Sequence, residues 1–187
     1  LVGTTVESSL IVAANKVTTE GSKTFKILGS TLFWVKNPDV SPDDWLYESQ
    51  FLPKEDGIVW GSAMAKKDGW VYVFGKKGSG LSSKSVLTRI STSEAVEGDW
   101  NNRVNYRNGK WRSDSSPTPL KGLPGTSETT VQYNPFFGWY CLQIPPFSFD
   151  IHLYTADNIT GPWHDQGSVY KVPAPWSKEK TDDEKHV

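Results

Sequence analysis

Ile151-His152-Leu153-Tyr154-Thr155-Ala156-Asp157-Asn158-Ile159-Thr160-Gly161-Pro162-Trp163 decides the fold. Its first half alternates in the manner of a half-buried strand, and its second half is a polar turn closed by Gly161-Pro162-Trp163. The same layout occurs twice more upstream. Trp45 follows Asp43-Asp44, and Trp100 follows Gly98-Asp99. In all three segments a polar or aromatic strand residue stands eleven positions before the closing tryptophan: Trp34, Arg89 and His152. The closing tryptophans are 55 and 63 residues apart. Degenerate strand-rich repeats of this length predict the blades of a β-propeller, in which one strand of every blade borders a shared central pocket.

Working outward, turn signals divide the chain into three such units. The first spans about 6–52, with strands expected near 8–14, 24–28, 31–35 and 45–49, and with Gly29-Ser30 as one of its turns. The second spans about 57–113, with strands near 59–65, 70–75, 85–91 and 100–106. Lys67-Asp68-Gly69 reads as a hairpin turn, and 91–96 as one short turn of helix. The third spans about 128–172, with strands near 130–133, 139–144, 150–156 and 163–170. Residues 113–126 hold mainly Ser, Pro, Thr and Gly and read as an exposed connection between blades. The charged tail 177–187 reads as disordered. The expectation is an all-β chain: a single propeller-like domain over 1–176, built of about three four-stranded antiparallel blades. Known propellers need at least four blades to close. The chain also runs almost directly from Leu1 into a strand, so the expectation includes missing N-terminal blades of the same propeller, five blades in all when complete.

Composition excludes several function classes. Twenty basic and 21 acidic residues give a net charge of −1, without the basic footprint of a nucleic-acid binder. No apolar run approaches the length of a membrane-spanning helix. The lone cysteine, Cys141, lies in an apolar run and reads as a buried core thiol; no Cys/His group has zinc-site spacing. Nucleotide fingerprints and a serine-nucleophile elbow are absent.

Several stretches resemble the five-bladed propellers of the arabinanase, xylosidase and fructosidase type. They are Trp60-Gly61-Ser62-Ala63, Asp68-Gly69-Trp70-Val71-Tyr72-Val73-Phe74-Gly75, Leu87-Thr88-Arg89-Ile90, and Trp100 through Tyr106 to Gly109-Lys110-Trp111, together with the opening stretch above. The resemblance is closest to propellers of unknown function grouped with the endo-D-arabinanases. It covers about 57–173, and the first unit only by internal analogy. It implies a secreted or cell-surface protein acting on an arabinan-like or other furanoside-containing polysaccharide or oligosaccharide. It implies no organic cofactor and leaves room for a calcium ion in the central channel. The rival reading is a non-catalytic propeller that binds glycan or protein.

Glycoside hydrolysis requires two carboxyl groups facing each other across a pocket. Glu7 and Glu128 stand at matching places near the start of the first and third units and are the catalytic candidates. If the chain begins at the third blade of the family's propeller, Glu7 matches the general-acid position and Glu128 lines the pocket. If the family's acids all lie earlier, neither is catalytic. Trp60 and Trp139 are candidate sugar platforms, as are Phe136 and Phe137; Arg89 and His152 are candidate substrate contacts. Asp150, two residues before His152 on the same strand face, is placed to hydrogen-bond its imidazole, though an ordinary structural histidine is the plainer reading. No metal ligand set is assigned.

Overall fold

The computed structural model describes residues 2–19, 25–127 and 129–172. The described strands form three antiparallel sheets in chain order. The first contains β1 (Val2–Val6), β2 (Ser9–Thr18), β3 (Lys26–Val35) and β4 (Tyr47–Pro53). The second contains β5 (Ile58–Lys67), β6 (Trp70–Lys77), β7 (Lys84–Ser91), β8 (Val104–Arg107) and the short β9 (Lys110–Arg112). The third contains β10 (Thr129–Asn134), β11 (Gly138–Gln143), β12 (Asp150–Ala156) and β13 (His164–Lys171). Each sheet is an up-and-down meander. The first strands meet, β5 packing against both β1 and β10. This is the expected all-β architecture, a three-bladed propeller-like arc with the first strand of each blade innermost. The short helix also forms, as α1 (Thr92–Glu97), with the Ser91 hydroxyl accepting the Glu94 N–H at its N-terminus.

Strand period explains how the middle blade is buried on both faces. Along β6, Val71 and Val73 join the core shared with the first blade, while Tyr72 and Phe74 join the core shared with the third. Along β7, Val86 and Ile90 face the first blade and Leu87 faces the third. Cys141 is fully buried in the second core, and burial pushes its thiol up to about 12. The repeat tryptophans all fall in connections between third and fourth strands. Trp100 and Trp163 are buried there and Trp45 is half-buried.

The third blade follows the sequence reading closely, as do the first three strands of the second. In the second blade Trp100–Asn102 is a short 3-10 turn rather than strand, and the fourth strand starts only at Val104. Gly109 then turns the chain into β9, a fifth strand beyond the expected four. Asp68 and Gly69 both have positive φ, 50° and 76°, and the ladder closes on Lys67 opposite Trp70, as a tight hairpin demands. The first blade requires a correction. Its innermost strand is Val2–Val6, and Ser9–Thr18 is the second strand rather than the first. Glu7 and Ser8 make the two-residue turn between them, with Glu7 at φ 52°. Gly29-Ser30 is no turn. It lies inside β3, where a Cβ on Gly29 would fall 2.3 Å from the Leu52 carbonyl oxygen. Ser30 is fully buried and donates to the Trp60 carbonyl at 2.5 Å.

The connection 113–126 also differs from expectation, because it is a clamped strap rather than an exposed linker. Leu120 and Leu123 are buried beside Phe74, Leu87 and Trp163. The Leu120 N–H donates to Ser85 O (2.8 Å), the Gly125 N–H to Ser83 O (3.1 Å), and the Trp163 N–H to Lys121 O (2.9 Å). The Ser83 and Ser85 hydroxyls donate to Gly125 O and Pro124 O, both at 2.7 Å. Its prolines preclude a regular ladder, but two leucines and these bonds hold it between the second and third blades. The tail 177–187 lies outside the described residues.

Candidate functional site

A cleft of about 1130 Å³ opens where β1, β5 and β10 converge. Thr4 comes from β1, Ser62 and Lys66 from β5, and Thr129, Gln132 and Tyr133 from β10. A bulge in β5 shapes its middle. Trp60 pairs with Gly75 and Ala63 with Phe74, so Gly61 and Ser62 are extra residues on β5. Gly61 sits at φ 85°, and a Cβ there would lie 2.5 Å from the Ala13 side chain. Only glycine lets the bulge nest against the first blade. Ser62 then lines the cleft, and the parity of the strand resumes with Ala63 and Ala65 in the second core.

Of the expected site residues that the structure describes, only Trp60 reaches the cleft wall. Glu7 is exposed on the β1–β2 turn and is not part of the cleft wall, since the innermost strand ends before it. Glu128 lies outside the described residues; its neighbours in sequence, Ser127 and Thr129, line the cleft. Trp60 reaches the wall but is 6% exposed and packed on Gly75, so it offers no open ring face for stacking. Trp139 is 4% exposed between Tyr72 and Tyr133, with ring centroids 5.9 and 5.4 Å away, and serves inter-blade packing. Phe136 and Phe137 are exposed at the β10–β11 turn.

Arg89 and His152 occupy matching third strands, as expected, but outside the cleft. The Arg89 guanidinium lies between two indoles, 3.8 Å from the Trp70 ring and 4.2 Å from that of Trp111. It ties β6, β7 and β9 of the second blade to one another. His152 Nδ1 meets Asp165 on β13, 3.1 Å from both carboxylate oxygens, and not Asp150. Side chains two apart on one strand project in parallel, whereas the β12–β13 register shift brings a cross-strand partner to the ring. Burial works to raise the Asp165 carboxyl. The Gly167 N–H and His152 outweigh it and hold the group below its ordinary range. Burial, then Asp165, pushes the neighbouring Tyr154 phenol up to about 12.

Sequence reasoning missed the lysines. Lys54, Lys66, Lys67 and Lys76 line the cleft, and Lys67 Nζ stands 4.5 Å over the Tyr133 ring. No aspartate or glutamate lines it among the described residues. For a calcium ion in the channel, the described wall offers only neutral oxygens, such as the amides of Asn15 and Gln132, beside four ammonium groups and without the carboxylates that usually hold this dication. Among the described residues no group of three His, Cys, Asp or Glu side chains could hold a metal, and no described helix is long and apolar enough to cross a membrane.

No curated protein matches the chain. Residues 29–180 match the family described as "Domain of unknown function (DUF4185)". That match runs from the third strand of the first blade through the whole of the third, and the chain belongs to this family.

Proposed function

We propose that this protein is a carbohydrate-binding propeller that holds a polysaccharide segment in the cleft between its inner strands. One observation carries the reading: hydroxyl, amide and ammonium groups from three blades, with the half-exposed Tyr133 ring, converge on one cleft. A polyhydroxylated ligand is recognised by many short polar side chains and an aromatic face. The resemblance to furanoside-active propellers supports the same ligand class and a secreted or cell-surface setting.

Binding is favoured over cleavage because the described wall lacks the pair of carboxyl groups that hydrolysis needs. The second reading, a glycoside hydrolase, has one specific support: Glu128 stands between two residues that line the cleft. Electrophoresis through gels containing arabinan, related furanosides or an acidic polysaccharide such as polygalacturonate, with a parallel assay for reducing ends, separates the two. The expected result is retarded migration without release of sugar, unchanged in Glu7→Gln. Sugar release that vanishes in Glu128→Gln would install the hydrolase instead. Absence of both retardation and cleavage across the panel would remove the carbohydrate reading.

A further inference from the structure

We infer that the cleft selects saccharides carrying negative charge, as uronate carboxylates or as sulfate or phosphate esters, over neutral ones. The inference rests on the cleft being a glycan site and specifies which glycan it takes. Basic and acidic residues are almost equal in number along the chain, 20 against 21, yet the described wall holds four lysines and no acid. Lys67 pairs with Asp68. Lys54, Lys66 and Lys76 have no ion-pair partner among the described residues. Three uncompensated ammonium groups around a concave space focus a positive potential into it, and Glu128 could offset only one of them.

The spacing of the lysines indicates a chain rather than a small ion. Lys76 pairs with Val59 and Lys66 with Val71, so the two lysines are five steps apart along β6, roughly 17 Å. No simple anion spans that distance, whereas an oligosaccharide with repeated charges does. Lysine suits such a ligand, since a mobile point charge follows successive anionic groups without demanding bidentate geometry.

Isothermal titration of the whole chain at low and at about 0.15 M salt tests this with four probes. These are an oligogalacturonate, a sulfated dextran oligosaccharide, a neutral arabino-oligosaccharide of equal length, and inorganic phosphate alone. At low salt at least one acidic oligosaccharide should bind roughly tenfold or more tighter than the neutral one, and the advantage should shrink at the higher salt. Whichever acidic arm binds identifies the charged group. Lys66→Gln with Lys76→Gln should abolish the advantage. Lys36→Gln, whose side chain pairs with Glu48 away from the cleft, should retain it. If the double variant misfolds, Lys54→Gln, exposed before β5, replaces it and should reduce the advantage. Equal affinity for neutral and acidic oligosaccharides overturns the charge selection and leaves the glycan reading standing. Phosphate binding as tightly as the acidic oligosaccharides overturns the glycan selection. Failure of every saccharide to bind overturns both.

Discussion

Alanine at Gly98 is expected to cost several kcal/mol of stability, on the order of 3 or more, and to lower the unfolding midpoint by about 10 °C. Gly98 ends α1 in the left-handed conformation, at φ 78°, with its N–H bonded to Ala95 O. The backbone strain of a side chain there is worth about 1 kcal/mol. The larger part is steric. A Cβ would stand 1.8 Å from Cζ2 and 2.1 Å from Cε2 of Trp34. That indole is 5% exposed and packed in the core of the first two blades, so a Cβ there must displace the ring and its packed neighbours. Thermal unfolding followed by tryptophan fluorescence measures the effect. An unchanged midpoint would mean that the first blade does not pack on the second as described.

Trp163→Ala is expected to cost about 3–5 kcal/mol. The side chain is 3% exposed, its Nε1 donates to Ile159 O at 3.2 Å, and its ring meets Phe74 edge-on at 6.5 Å. It also closes over the 113–126 strap, whose Lys121 carbonyl accepts its backbone N–H. Truncation therefore opens a cavity in the core that joins the second and third blades. Trp45 occupies the corresponding place in the first blade, and its Nε1 bonds Val40 O in the same manner, but it is only half-buried. Trp45→Ala should cost about 1 kcal/mol or less. Denaturant unfolding of the two variants gives the ranking, and equal losses would contradict the burial pattern assigned to the repeats.

These tryptophans were legible in sequence because their spacing repeats, and so were the third blade and the first three strands of the second. Asp68-Gly69 and the Asn134 to Gly138 turn carry strong turn residues, and the intervening strands alternate cleanly. The first blade was harder to read because its turn chemistry misleads. Glu7-Ser8 makes a tight turn without Gly, Pro or Asn, while Gly29-Ser30 looks like a turn and instead serves close packing within β3. That one-strand error moved Glu7 from the tip of a hairpin to the mouth of the channel. The 113–126 strap was misread for a related reason. Its composition is that of a loop, and only Leu120 and Leu123 reveal that it is buried.

The candidate site was less legible than the fold. Its location, at the inner strands, follows from the repeat. Its chemistry does not, because Lys54, Lys66 and Lys76 are scattered over two strands and a connection, and only the convergence of the blades makes them one wall. The search for paired carboxylates drew attention to acids at the ends of strands. Arg89 and Trp139, which looked like ligand contacts, are instead inter-strand and inter-blade packing.

Amide chemical-shift mapping during titration with an acidic oligosaccharide tests the central claim most directly. The account predicts that the largest saturable shifts fall on Thr4, Ser62, Thr129 and Gln132, one patch drawn from three blades. Shifts confined to Phe136 and Phe137 at the β10–β11 turn, or none at all, would contradict it.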